Sequence, residues 1–381
     1  MPLVPPVPDL WDASVVVACA VAAVGPLLYG LGLLRARREA ALVVPVTPRP
    51  LDEDLLVVIP ARNEAARLSP TLAALLADPS PHLRVVVVDD DSTDRTGLLA
   101  RRHDDDRLTV VDGPGPPPPG AFGKPRALAF GAAASPHGAL LLCLDADVVV
   151  TPGLLGGLVK ALRSHDVAAL SGVPTLDDVT PLERALVPAF VAAVGVTHPP
   201  SRVHAPGDPT AFLNGQLLLV RRAALDDVGG FLAVQHTVLE DVTLARRLKA
   251  RGHSLRLIDV RGLARTRMYE SFGAIVRGFA KNARALHGPA LLPLAALLAV
   301  GPWAPVVGAA LALRTGSVVD DVVGVASIVV AAACAAVNRA RLGGAAAWGL
   351  LSPVVQLVVA GTYVLAAVRR RGSWRGRTFS T

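Results

Sequence analysis

Ala139-Leu-Leu-Leu-Cys-Leu-Asp-Ala-Asp147 is an unbroken apolar run that stops at two carboxylates one residue apart. A short run of this kind reads as a strand buried on both faces. Strand side chains alternate, so the spacing predicts Asp145 and Asp147 on one face at the strand's C-terminal end. Ligands of open α/β sheets sit beyond that edge. Two hard oxygen ligands aimed at one point there suit Mg²⁺ or Mn²⁺ held against a diphosphate. D-x-D alone is short and common, so its weight depends on the residues around it.

Upstream and downstream, apolar runs alternate with helical patterns. Leu55–Ile59, Leu83–Val88, Leu108–Val111 and Val167–Leu170 read as further buried strands. Helical spacing over Ala65–Leu76, Thr93–Arg102, Pro125–Ala134 and Pro152–Arg163 separates them. This alternation predicts βαβ units and an α/β fold with a mostly parallel, Rossmann-like sheet. Polar residues gather where such a sheet binds ligands: Arg62, Asn63 and Glu64 after the first strand, Asp89–Asp91 after the second, Asp145 and Asp147 after the fourth. The Gly/Pro-rich stretch Asp112–Gly120 follows a strand too, but its prolines can neither donate N–H groups to a phosphate nor open a helix. It reads as a surface linker that can bend over the mouth of the site.

Five motifs arrive in order: Val57-Val-Ile-Pro-Ala-Arg-Asn-Glu64, Val86-Val-Val-Asp-Asp-Asp-Ser-Thr-Asp94, Gly123-Lys-Pro-Arg-Ala-Leu128, Asp145-Ala-Asp147, and Glu240-Asp241 opening a helix with Arg246 and Arg247. Asn214-Gly-Gln216 and Gly229-Gly-Phe231 lie between the last two. Over about residues 55–285 the chain resembles the inverting glycosyltransferases of family 2. The resemblance implies the nucleotide-diphospho-sugar transferase fold called GT-A, a divalent metal (Mg²⁺ or Mn²⁺) and a nucleotide-sugar donor, with a UDP-sugar as the first expectation.

Carboxylates such as Glu64 and Asp90 can accept from the N–H of a uracil ring or from ribose hydroxyls, and the resemblance assigns the Asp89/Asp90 pair to that role. Pro60 and Arg62 at the end of the first strand join the same donor-binding set. Asp91 stands where the family usually has glycine. Either Asp91 or Ser92 also suits the N-cap of the next helix. Lys124 sits at a helix start, where the dipole disfavours a cation unless an anion faces it; the resemblance puts it at the nucleotide or diphosphate. Inversion needs a base for the acceptor hydroxyl. The resemblance gives that task to Asp241, with Glu240 in support; two adjacent carboxylates should raise one pKa. Asn214–Gln216 falls near the acceptor by resemblance, although Gly215 reads equally as a tight turn. His236 is a further pocket candidate.

Hydropathy points elsewhere. The 381 residues are 52% hydrophobic, with mean hydropathy +0.48, too apolar for an ordinary soluble domain. Ser14–Leu34 carries no charge, and Arg35, Arg37 and Arg38 follow it. Its length and flanks predict an anchor with the next segment in the cytoplasm. Ala290–Leu313, Val322–Val337 and Ala345–Val368 are candidate C-terminal spans. Three crossings would carry Arg369–Arg371 outside, so the charge rule favours an even number. Phe272–Asn282 has apolar residues at helical spacing with Arg277 and Lys281 one turn apart, the pattern of an interfacial amphipathic helix. Pro181–Val196 reads as a second such segment or as a core helix. The net charge of +7 forms no basic stripe interleaved with aromatics, which speaks against nucleic acid as a partner. Cys19, Cys143 and Cys334 show no metal spacing and no disulfide framework.

The expected organisation is an anchor at 1–40, a cytoplasmic catalytic domain at 50–265, an interfacial helix at 266–288, transmembrane helices at 289–370 and a basic tail at 371–381, giving a multi-pass protein of the cell membrane. No Q-x-x-R-W motif of processive synthases is present. The Met268-Tyr269 … Gly278-Phe-Ala-Lys-Asn282 pattern resembles transferases acting on carotenoids or other polyisoprenoid lipids. The expected activity is therefore non-processive transfer of a sugar to a membrane lipid. The alternatives are a polyprenyl-phosphate or hopanoid acceptor, or a sugar-nucleotide sensor or scaffold without turnover.

Overall fold

The computed structural model describes residues 31–32, 34–136, 138–313, 318–341, 345–368, 371–374 and 377–380. The predicted N-terminal anchor lies almost wholly outside the described residues. The described chain forms two compact units, one comprising residues 39–180, 193–288 and 369–381, the other 1–38, 181–192 and 289–368.

The first unit is built on an eight-stranded sheet of β1 (Val44–Pro45), β2 (Leu55–Ala61), β3 (Leu83–Asp89), β4 (Leu108–Asp112), β5 (Leu140–Leu144), β7 (Ala169–Val173), β9 (Leu217–Arg221) and β10 (Leu255–Asp259). Their spatial order is β1-β10-β7-β9-β5-β2-β3-β4. A second, three-stranded sheet joins β6 (Val148–Val150), β11 (Ala264–Thr266) and β8 (Thr175–Leu176). All five strands expected from the sequence are present. The central strand β2 is apolar throughout because both faces are covered. Leu55, Val57 and Ile59 enter one core with Leu68, Leu72 and Leu75 of helix Leu68–Leu76, while Leu56 and Val58 enter another with Ala127 and Leu128 of helix Gly123–Ala134.

One strand runs against the expected grain. β9 is antiparallel to both β5 and β7, with Leu144 opposite Leu217. Its N-terminal end therefore meets the C-terminal ends of its neighbours, carrying Asn214–Gln216 to the ligand-binding edge. The Asp145 N–H donates to the Gln216 carbonyl at 3.0 Å. There β5 stops, and Asp145–Asp147 form a turn into β6, closed by a 3.1 Å bond from Val148 N–H to the Asp145 carbonyl. The expectation that strand alternation aligns the two aspartates is thus corrected: a turn presents them.

The second unit is helical and apolar. Helix Leu291–Val300, the 3₁₀ turn Gly301–Trp303 and helix Ala304–Ala312 precede helix Val318–Arg341 and, after the 3₁₀ turn Ala346–Leu351, helix Ser352–Val368. Leu291–Val300 packs on Ser352–Val368, and Ala304–Ala312 on Val318–Arg341. Leu297, Val300, Leu313, Val318 and Val322 remain exposed. Among the described residues, the runs Phe272–Trp303 and Ala346–Val368 are long and apolar enough to cross a bilayer, and Asp321–Val337 is a shorter apolar helix. The basic tail forms an antiparallel pair, Arg371–Trp374 with Arg377–Ser380.

Helix Gly123–Ala134 lies close on the sheet because Gly131 has no Cβ; one added there would stand 2.5 Å from Val58 Cγ1 and 2.8 Å from Val88 Cγ2. Gly131→Ala should destabilise the fold by about 1–3 kcal/mol through overpacking, read as a lower denaturation midpoint at unchanged m-value.

Candidate active site

Lys124 projects from the first turn of helix Gly123–Ala134 into the ligand-binding edge of the sheet. Its ammonium lies 2.8 Å from Asp145 Oδ1 and 3.0 Å from Glu240 Oε1, and donates to the Gly215 carbonyl at 3.3 Å. Burial alone would lower the lysine's pKa, but Asp145, Glu240 and Asp241 reverse this and hold it well above its ordinary value. The cation on an N-terminal turn, anomalous for the helix dipole, thus has three carboxylates around it.

Glu240 and Asp241 open helix Glu240–Ala250. Asp241 Oδ2 accepts from the Gly215 N–H at 2.7 Å, and Oδ1 from Val242 N–H at 2.8 Å. Leu128, Cys143, Leu218, Phe231 and Leu244 line the small cavity behind the pair. Burial in this apolar backing, with the charge of Glu240 added, pushes the Asp241 carboxyl up to about 6, against the pull of Lys124 and the two N–H groups. Gly215 is required by close approach, since a Cβ would stand 2.9 Å from Asp241 Oδ2 and 3.2 Å from Lys124 Nζ. Asn214 fixes the turn, its side-chain amide donating to the Gly172 carbonyl at 3.0 Å.

The donor-side loops form a laced rim. Asp89 ends β3, and Asp90 beside it is buried. Arg62 does not stand free: its guanidinium donates to the Asp90 carbonyl at 2.6 Å and to Asp91 Oδ2 at 3.1 Å. Asn63 accepts from Thr93 N–H at 2.8 Å, and Ser92 Oγ accepts from Asn63 N–H at 3.0 Å. Asp91 adopts φ +62°, the left-handed region glycine enters most readily, which accounts for the glycine expected there. The capping role expected of Asp91 or Ser92 is corrected. Helix Thr96–Ala100 begins after Arg95, and Asp94 takes its Thr96 N–H at 2.9 Å and also the Ala65 N–H at 3.2 Å. Asp94 is a structural residue the sequence reading passed over; Asp-x-Thr before a helix was its signal. Pro60 ends the buried run of β2, and Glu64 faces Arg67 at 3.5 Å.

Asp147 lies apart from the lysine, near Arg67 and Tyr269, whose ionisations it affects. Arg67 also binds Glu270 at 2.9 Å. Among the described residues no group of three or more His, Cys, Asp or Glu side chains is arranged to hold a metal ion. Asp145 and Asp147 alone still suit Mg²⁺ or Mn²⁺, which take one or two protein carboxylates and fill the remaining positions with water and phosphate oxygens. Lys281, on the helix expected to be interfacial, lies within electrostatic reach of Glu240, Asp241 and Asp145. His236 lies four residues before Glu240, and its Nδ1 is 3.1 Å from the Gly120 carbonyl oxygen.

Residues 52–277 match the sequence family described as glycosyltransferase like family 2. The chain belongs to that family. Succinoglycan biosynthesis protein ExoU of Rhizobium meliloti (strain 1021) is 31% identical over 237 residues, a match covering 59% of this chain and 63% of that protein. The match thus takes in less than two thirds of the relative's length. Among solved structures, the mannosyltransferase PcManGT from Pyrobaculum calidifontis, in complex with GDP-Man and Mn²⁺, superposes with a TM-score of 0.53 at 22% identity, covering 93% of this chain and 97% of that one. The fold is that of the GT-A glycosyltransferases: a mixed, mostly parallel sheet flanked by helices.

A carboxyl whose pKa is raised on folding adds stability below its unfolded pKa and loses that contribution as pH rises through the folded value. Removing Lys124 takes away its lowering pull on Asp241 and so enlarges this loss. Lys124→Met should cost about 3 kcal/mol at pH 8 and clearly less at pH 5, measured by chemical denaturation at both values.

Proposed function

We propose that the protein transfers a sugar from a nucleotide-diphospho-sugar to a hydroxyl of a membrane-borne acceptor, with inversion at the anomeric carbon. The meeting of Asp145 and Glu240 at Lys124, with Lys124 and Asp241 both bound to Gly215, carries this reading. Asp89 and Asp90, with Glu64, bind the nucleoside; Arg62 and Pro60 hold the rim from which those carboxylates project. Asp145 and Asp147 would hold Mg²⁺ or Mn²⁺, which would supply charge neutralisation for the leaving diphosphate. Lys124 adds a fixed cation beside the same phosphates. Asp241 takes the proton of the attacking hydroxyl; its raised pKa makes it a stronger base than an ordinary aspartate while leaving it ionised at neutral pH. Glu240 sustains that shift and orients the acceptor. A sensor without turnover would gain nothing from a carboxylate pair in which one member is held above its ordinary pKa.

The donor is a UDP-sugar in the first instance. The complex of PcManGT with GDP-Man keeps a guanosine donor within the same reading. The acceptor is a lipid such as a carotenoid, or a polyprenyl-phosphate or hopanoid-type lipid. Two long apolar helices with exposed Leu and Val side chains support a bilayer setting. The catalytic part takes in residues 50–265 on the cytoplasmic side, followed by an interfacial helix at 266–288 and membrane helices at 289–370. The name of the Rhizobium relative favours a second acceptor reading, a sugar of a growing polysaccharide.

Asp241→Asn should lower transfer about a thousandfold while leaving nucleotide binding within twofold; unchanged transfer removes Asp241 as the base. In the wild type, kcat/KM should rise with pH through about 6 and then level, because the base must be ionised. EDTA should stop transfer and added Mn²⁺ or Mg²⁺ restore it. Membranes incubated with a panel of nucleotide-sugars and extracted lipids should yield a labelled product in the organic phase; label confined to the aqueous phase contradicts a lipid acceptor.

A further inference from the structure

The Gly/Pro-rich loop joins the two halves of the site at both of its ends. Gly113 N–H donates to the Asp89 carbonyl at 2.9 Å. A Cβ on Gly113 would stand 3.0 Å from that oxygen and 3.1 Å from Asp90 Cα, so the loop starts in contact with the acidic rim. Five of the eight residues in Gly113–Gly120 are proline, each with φ fixed by its ring. Arg126 donates to the Gly115 carbonyl at 3.2 Å, tying the loop to the helix that bears Lys124. At the far end Gly120 takes φ +78°, and its carbonyl accepts from His236 Nδ1 at 3.1 Å. Phe122 N–H then donates to the Gln235 carbonyl at 2.8 Å. Gln235 and His236 follow the 3₁₀ turn Phe231–Val234, and Glu240 and Asp241 lie four and five residues beyond His236.

A flexible loop fixed at two ends absorbs movement; one with its dihedrals locked passes it on. We propose that Gly113–Gly120 is a stiff strut coupling occupancy of the nucleoside pocket at Asp89 and Asp90 to the seating of Asp241, with His236 as the positioning residue that closes the link. The proposal rests on the donor reading above. Coupling between sites is reciprocal, so a filled donor pocket and a seated base favour each other. The base is thereby best placed when a donor is present to be attacked.

Amide hydrogen exchange on the full chain in lipid nanodiscs tests this, with Mn²⁺ and, in turn, UDP, GDP, CDP and ADP. The nucleotide that binds should slow exchange at 89–91 and 113–115 and also, by about fivefold or more, at 235–242. His236→Ala should keep the first protection and lose the second; His236→Gln, which can still donate to the Gly120 carbonyl, should restore it. A chain with Pro116–Pro119 replaced by Gly-Ser-Gly-Ser should lose the second protection with His236 intact. Wild-type protection confined to 89–91 and 113–115, or survival of the 235–242 protection in both the alanine and the Gly-Ser chains, overturns the strut while sparing the donor reading. Protection at neither segment with any nucleotide overturns the donor reading and the strut together.

Discussion

The ammonium of Lys124 is the constraint on which the site depends. Asp145 comes from one stretch of chain and the adjacent Glu240 and Asp241 from another, and their charges would repel if brought together alone. Lys124 touches two of them and the Gly215 carbonyl between, and its own desolvation is outweighed by their field. The end of β5 and the start of helix Glu240–Ala250 therefore meet at one cation. Two features of the backbone make room for it: Gly215, whose missing Cβ lets Asp241 and Lys124 close in, and the antiparallel course of β9, which turns Asn214–Gln216 toward the end of β5.

Buried strands were legible as apolar runs because a sheet covered on both faces leaves no polar alternation to read, and Leu55–Ala61 and Leu140–Leu144 lie where those runs lie. The direction of Leu217–Arg221 was not legible, since periodicity carries no sign for strand polarity. The acidic motifs fell at the expected sheet edge, but their partners were hidden. Nothing in the spacing of Lys124 and Glu240, over a hundred residues apart, says that they touch. The reading of Asp145 and Asp147 as strand neighbours failed for a local reason, because the ladder with β9 ends at Leu144 and a turn follows. Arg62, expected on the donor side, also holds the rim through one guanidinium nitrogen that reaches the Asp90 carbonyl and Asp91.

The segment after β11 shows how one pattern can serve two ends. Phe272–His287 has the amphipathic spacing of an interfacial helix, yet Gly278 leaves the space that the Tyr269 ring fills, and Phe279 packs beside that ring at 6 Å or less between centroids (5.4 Å). Lys281, a turn further on, brings positive charge toward Glu240 and Asp241. The glycine, aromatic and lysine positions of this stretch thus answer to the unit that holds the candidate site, while the described helices after it leave large apolar side chains exposed.

In the proposed reaction Asp241 deprotonates the acceptor in a single displacement while the diphosphate leaves from the opposite face. The anomeric configuration of the first product formed, read by proton NMR before any mutarotation, tests it most directly. A sugar inverted relative to the donor is the predicted result. A sugar retained in the donor's configuration would contradict it.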